Sequence, residues 1–259
     1  MELCNFKSGH ILVFTFILVS SLLVACAYIP EAYSTKPPTS FFTDKGQQEL
    51  QADVDFRLPA PAVKVSYNRA MARHLLLGGS VNAHHSIRIR GAYPFGLKQA
   101  GVKPSLWCGY FLWYGQNKGA YLETSLAYSR GFNNHTDLSK NLFYRNQTNE
   151  YTFTVVQAWQ KTTGLKVALD FSVTYFIFDH PAPVYFSNFD EDPYNGPPKD
   201  VFITDILMFN SGLTLKKGIK RFTPVLRIGL NTASKDVGKT DSDLFNPYLS
   251  VGCSYRIGK

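Results

Sequence analysis

Histidines, clustered acids and cysteines are the residues in this chain that could carry chemistry. His84-His85 is followed closely by Arg88 and Arg90, and His135 lies in Asn133-Asn134-His135-Thr136-Asp137. Adjacent histidines point to opposite sides of an extended chain and make a poor chelate, so 84–90 reads as a solvated polar loop. His135 could join a hydrolytic group, but spacing assigns it no serine or aspartate partner. His74, in a tight turn, and His180, before Pro181, are isolated. Asp190-Glu191-Asp192, with Asn195-Gly196 following, offers oxygen ligands for Ca²⁺ without the spacing of an EF-hand loop. The N-x-T triplets at 134–136 and 146–148 are expected to be fortuitous. No catalytic residue, metal site or cofactor is assigned.

Cys26 is a different case. Leu23-Val24-Ala25-Cys26 closes an apolar run that begins at Ile11 and is too short and interrupted to span a bilayer comfortably. It reads as a lipobox. Residues 1–25 are then a lipoprotein signal peptide, Cys26 is the lipid attachment site, and palmitate-type chains hold the protein to a membrane. A plain signal peptide with an incidental Cys26 is the alternative, and a retained membrane helix a more distant one. Cys4 leaves with the leader, so Cys108 and Cys253 remain, each in an apolar, aromatic stretch that suits a buried or lipid-facing thiol.

The formal charge of +8 is dispersed along an exported chain, which argues against a nucleic-acid partner. With 15 Tyr, 20 Phe and only 18% charged residues, the composition suits a β-rich membrane protein whose strands are individually weak signals. Residues 26–44, with Pro30, Pro37 and Pro38 among Ser and Thr, read as a flexible lipid-anchored tether. A single domain is expected over 45–259.

Period-two alternation dominates that domain. From Leu165 to Ile177, Leu165, Val167, Leu169, Phe171, Val173, Tyr175 and Ile177 fall on one face and Lys166, Ala168, Asp170, Ser172 and Thr174 on the other. Thirteen alternating residues suit a tilted membrane strand. Residues 247–257 and 120–128 repeat the pattern, and strands are also predicted at 46–56, 62–70, 75–82, 105–114, 149–160, 201–213 and 222–230. In 201–213, Asp205 shares a face with Ile203 and Leu207, which signals a bulge or a shifted register. Connections at 71–74, 116–119, 161–163 and 215–221 are short, whereas those starting at 83, 129, 178 and 231 are long. Short turns at one end and long loops at the other are the plan of a closed antiparallel up-and-down β-barrel of about ten strands, outer-membrane type. In lipid the sheet cannot keep an open edge, so it must close. An even strand count returns both termini to the periplasmic side. A tethered water-soluble barrel or sandwich would give the same alternation with apolar residues turned inward.

Several short motifs resemble outer-membrane β-barrel lipoproteins of the Bacteroidota type, a group without an agreed activity. They are Cys26-Ala27-Tyr28-Ile29-Pro30, Lys45-Gly46 opening the first strand, and Tyr67-Asn68-Arg69-Ala70-Met71-Ala72-Arg73-His74 running into Leu75 and Gly79. Gly109-Tyr110 and Gly252 also fit. The resemblance implies the fold and a bacterial outer-membrane location. The chain departs from the pattern in lacking a terminal aromatic residue and an acidic run after Cys26, where only Glu31 is charged. That departure favours a lipid in the inner leaflet.

Glu123, Lys166, Asp170, Arg227 and Arg256 form the lumen-facing polar cluster the alternation predicts, and a barrel near this size has little room beyond its own side chains. Unpaired charges there would be expensive, so each is expected to have a partner and to help plug the lumen. The expected role is a structural or surface-interaction one, with membrane lipid and an envelope or surface protein met through the long loops as partners. A narrow, porin-like solute channel is the alternative, and a barrel hydrolase at the membrane face is the third reading.

Overall fold

The computed structural model describes residues 27–28, 36–56, 61–85, 97–114, 119–137, 142–160, 164–186, 201–218, 221–237 and 240–257. The leader, Cys26, the 86–96 stretch with Arg88 and Arg90, and the acidic run at 190–192 lie outside them. The strands are β1 (Ala27–Tyr28), β2 (Gln48–Phe56), β3 (Ala62–Ala70), β4 (Leu75–His85), β5 (Leu97–Tyr114) and β6 (Ala120–Asp137). They continue with β7 (Leu142–Gln160), β8 (Leu165–Phe186), β9 (Val201–Lys217), β10 (Phe222–Val237) and β11 (Thr240–Ile257).

Strands β2 to β11 pair antiparallel with their sequence neighbours, and β11 returns to β2 from Leu249↔Phe56 to Ile257↔Gln48, closing a ten-stranded barrel. Every predicted strand is present. Seven reach beyond the predicted range at the loop end: β4 runs to His85, β5 begins at Leu97, β6 runs to Asp137, β7 begins at Leu142, β8 runs to Phe186, β10 to Val237 and β11 begins at Thr240. Much of what reads as long loop is therefore extended hairpin. Outward residues there are mixed, with Arg130 and Asn134 on β6 and Gln147 on β7 beside Phe132 and Phe143, because outside lipid that face needs no continuous apolar row.

The faces decide between a membrane barrel and a soluble one. Leu106 is 69% exposed and Phe171 68%, while Asp170, Ser172 and Thr174 on the same strand are buried. Most large apolar side chains of the mid-wall look outward and the polar ones inward, with Trp107, Phe111, Tyr121, Phe176 and Met208 the inward exceptions. Such a surface is stable only in hydrocarbon. Tyr128, Tyr151 and Tyr175 on one side of this belt and Tyr114 and Trp159 on the other supply the interfacial aromatics of an outer-membrane barrel.

The anomaly at Asp205 is a bulge. The β8–β9 register passes from Ile177↔Asp205 to Ala182↔Ile203. Ile203 and Ile206 are thereby buried, while Asp205 turns outward with Leu207 and accepts a 2.9 Å hydrogen bond from Tyr175 Oη. The thiols of Cys108 and Cys253 are free and exposed on the outer face.

Candidate functional site

The lumen at the short-turn end is filled by the chain's own N-terminal segment. Residues Lys36–Phe42 are all buried, which corrects the reading of 26–44 as a flexible tether throughout. Two prolines and small polar residues keep this stretch from forming helix, and its extended backbone is then free to bond to the barrel wall.

Contacts follow the chain in order. The Lys36 ammonium forms an ion pair with Asp170 on β8 and sits 5.2 Å over the Tyr248 ring. Its carbonyl accepts a 2.6 Å bond from Lys64 Nζ. The Ser40 N–H donates to Glu123 Oε2 at 3.5 Å, and Tyr121 Oη donates to the same oxygen at 2.6 Å. Phe41 stacks on Tyr121 with centroids 5.3 Å apart, and Lys166 and Lys216 approach its ring at 5.0 and 5.9 Å. Arg256 donates to the Phe41 carbonyl at 3.4 Å, and Trp113 Nε1 to the Phe42 carbonyl at 2.6 Å. The segment then leaves the barrel, where the Gly46 N–H bonds to Ala70 O at 2.8 Å.

Phe41 has φ of 53°, a left-handed conformation that a bulky residue adopts only when its surroundings hold it. In an extended chain neighbouring side chains point to opposite sides. The twist at Phe41 breaks that alternation and buries Phe41 and Phe42 together against Phe111, Trp113 and Tyr121. Gly212 completes the seat. A Cβ there would lie 2.7 Å from Lys36 Nζ and 2.9 Å from Asp170 Oδ1, so a larger residue would have to push the pair aside.

The Lys36 ammonium is buried, so it needs the Asp170 carboxylate beside it.

Of the predicted cluster, Glu123, Asp170 and Arg227 are buried inside the barrel, and Lys166 and Arg256 are half-buried against Phe41. Asp170, Glu123, Lys166 and Arg256 converge on the N-terminal segment, and Arg227, buried on β10, donates to Thr214 Oγ1 at 3.1 Å. Further inward charges were missed: Glu49, which binds Lys216 at 2.7 Å, Asp53, Lys64 and the Lys103–Glu150 ion pair. Their signal lies in the same alternation, Lys64-x-Ser66-x-Asn68 against Val63, Val65 and Tyr67. Lys36 had no such signal, because nothing in a proline-rich stretch says it enters a lumen.

The long-loop half is built differently. Wall side chains meet each other: Lys103 pairs with Glu150 over the Phe176 ring, and Asn210 bonds Ser172 and Thr174. His84 turns inward and packs over Gly101 next to Asn133. The side-chain amides of Asn82 and Asn133 are buried and have no hydrogen-bond partner among the described residues. His74 shares a 3.0 Å hydrogen bond with the Phe111 carbonyl at the short-turn rim, while the side chain of His135 lies outside the described residues. Among the described residues no cluster of His, Cys, Asp and Glu could hold a metal ion.

No family model and no curated protein matches the chain. Solved outer-membrane barrels resemble it weakly. The β domain of the Bordetella autotransporter BrkA aligns over 83% of this chain and 99% of its own, with 13% identity and a TM-score of 0.46. The translocator domain of the autotransporter NalP from Neisseria meningitidis aligns over 96% of each chain, with 10% identity and a TM-score of 0.41. The KdgM porin, in complex with disordered oligogalacturonate, aligns over 81% of this chain and 99% of its own, at 12% identity and a TM-score of 0.36.

Proposed function

We propose that the protein is an outer-membrane lipoprotein, acylated at Cys26, that works as a closed cylinder: residues Lys36–Phe42 seal the lumen and the long hairpins on one face engage envelope or external partners. The observation that carries this reading is the burial of Lys36–Phe42 in the barrel, pinned at one end by the Lys36–Asp170 pair and at the other by Trp113 and Arg256. A wall that holds six charged side chains, Lys64, Glu123, Lys166, Asp170, Lys216 and Arg256, against one short segment favours a structural plug over a solute path. In planar bilayers the wild type is expected to stay near background conductance, and deletion of 36–43 to open a stable pore. Steady wild-type conductance would refute the closed state. Loss of acyl label in Cys26→Ala tests the anchor.

A narrow solute channel is the second reading, and one observation favours it. The long-loop half is lined with Asn82, Asn133, Asn210 and Thr148, and the amides of Asn82 and Asn133 have no hydrogen-bond partner among the described residues. Such a lining suits water and polar solutes once the segment moves aside. Brief wild-type openings that cease when Lys36→Cys is cross-linked to the wall would favour this reading.

A further inference from the structure

We infer that the chain is threaded through its own barrel, with Ala27–Tyr28 in the long-loop mouth, Lys36–Phe42 in the lumen and Gly46 at the short-turn rim, so that the acyl anchor belongs to the outward face. The inference rests on the reading above that the barrel sits in an outer membrane with its long hairpins outside.

Two fixed points lie at opposite ends. Ala27 pairs with Phe186 and Tyr28 with Tyr185, at the end of β8 that leads into 187–200. Gly46 bonds to Ala70, at the end of β3 that leads into the 71–74 turn. The direction of β1 agrees with descent. It is antiparallel to β8, which climbs toward the long-loop end, so Tyr28 lies deeper than Ala27. β1 also approaches β11, three strands farther round the wall from β8, which places it in the mouth and not against the outside of the barrel.

Between the fixed points the lumen contacts step downward. Lys36 meets Asp170, five residues inside the Leu165 end of β8, and Ser40 meets Glu123, three inside the Ala120 end of β6. Phe41 and Phe42 meet Arg256 and Trp113, each one residue from the strand ends at Ile257 and Tyr114. A path around the outside is too long. The stretch from Tyr28 to Lys36 spans at most about 28 Å, whereas that path must leave by the short-turn mouth and climb the whole wall. β8 alone is 22 residues long, roughly 70 Å of strand before tilt.

Two consequences follow. The acyl chains on Cys26 enter the outer leaflet, so the lipid holds the protein from the side opposite to the one that the missing acidic run suggests. The barrel also has to close around the segment, and the β2–β11 seam begins at Gln48, immediately after the exit at Gly46.

Single-cysteine variants test the threading in cells. Tyr28→Cys and Lys45→Cys are placed in a Cys108→Ser, Cys253→Ser background, with heat-modifiable gel mobility confirming the folded barrel, and are exposed to a membrane-impermeant maleimide. Tyr28→Cys is expected to label in intact cells several-fold above the parent, and Lys45→Cys only after permeabilisation. Ala27→Cys is a second variant with the same expectation as Tyr28→Cys. Failure of both to label in intact cells overturns the threading, as does equal labelling of Tyr28→Cys and Lys45→Cys there. Should a Lys36→Cys to Asp170→Cys cross-link form while Tyr28→Cys labels only in opened cells, the threading is wrong and the closed lumen stands.

Discussion

At the short-turn end of the lumen, charges on the wall find partners on a segment that is not part of the wall: Asp170 takes Lys36, Glu123 takes the Ser40 N–H, and Arg256 and Trp113 take the carbonyls of Phe41 and Phe42. At the long-loop end the wall serves itself, with Lys103 on Glu150 and Asn210 on Ser172 and Thr174. The first half carries the aromatic cluster of Phe41, Phe42, Phe111 and Tyr121, and the second a polar lining with two amides that have no partner among the described residues. The difference teaches that half of the inner face is written for an occupant. Changes at the short-turn end should act through the segment, and those at the long-loop end should not.

The largest effect on that contrast is expected from Asp170→Asn, which strands a buried ammonium. Removing one partner of such a pair costs about 3–5 kcal/mol, read as a lower denaturant midpoint in the gel-shift assay. Lys36→Met with Asp170→Met should restore most of the loss. If Asp170→Asn in a chain lacking 36–43 costs as much as in the full chain, the segment is not its partner. A smaller effect is expected at Gly212→Ala, where the new methyl collides with both members of the pair. Overpacking of this kind costs about 1–3 kcal/mol, and the cost should vanish in the 36–43 deletion. Asp205→Asn should have the least effect. Its partner Tyr175 lies on the outer face, and an exposed contact of this kind is worth about 1 kcal/mol or less. A loss as large as that of Asp170→Asn would mean that Asp205 is not at the lipid–water boundary.

How much was legible depended on what each residue faces. On β8 the outward residues Val167 to Ile177 meet hydrocarbon while the inward ones meet a polar lumen, so period two alone gave the strand and its faces. The same rule ran out at Arg130 and Gln147, where strands continue beyond lipid and the outward face turns mixed. The bulge announced itself through Asp205, a charge in an apolar row. Five lumen charges were legible for the same reason. Their partner was not, since proline and serine at 37–40 record only that helix is disfavoured. Phe41-Phe42, two adjacent aromatics in a polar stretch, was the unread sign that this stretch is buried.

The occupied lumen is tested most directly by cross-linking. In a background without Cys26, Cys108 and Cys253, Lys36→Cys is combined either with Asp170→Cys or with its outward neighbour Phe171→Cys, and folded protein in native membranes is treated with a short bifunctional thiol reagent. An intramolecular link to position 170 and none to position 171 is the predicted result. Equal linking to both positions, or no link to 170 in the folded protein, would contradict it.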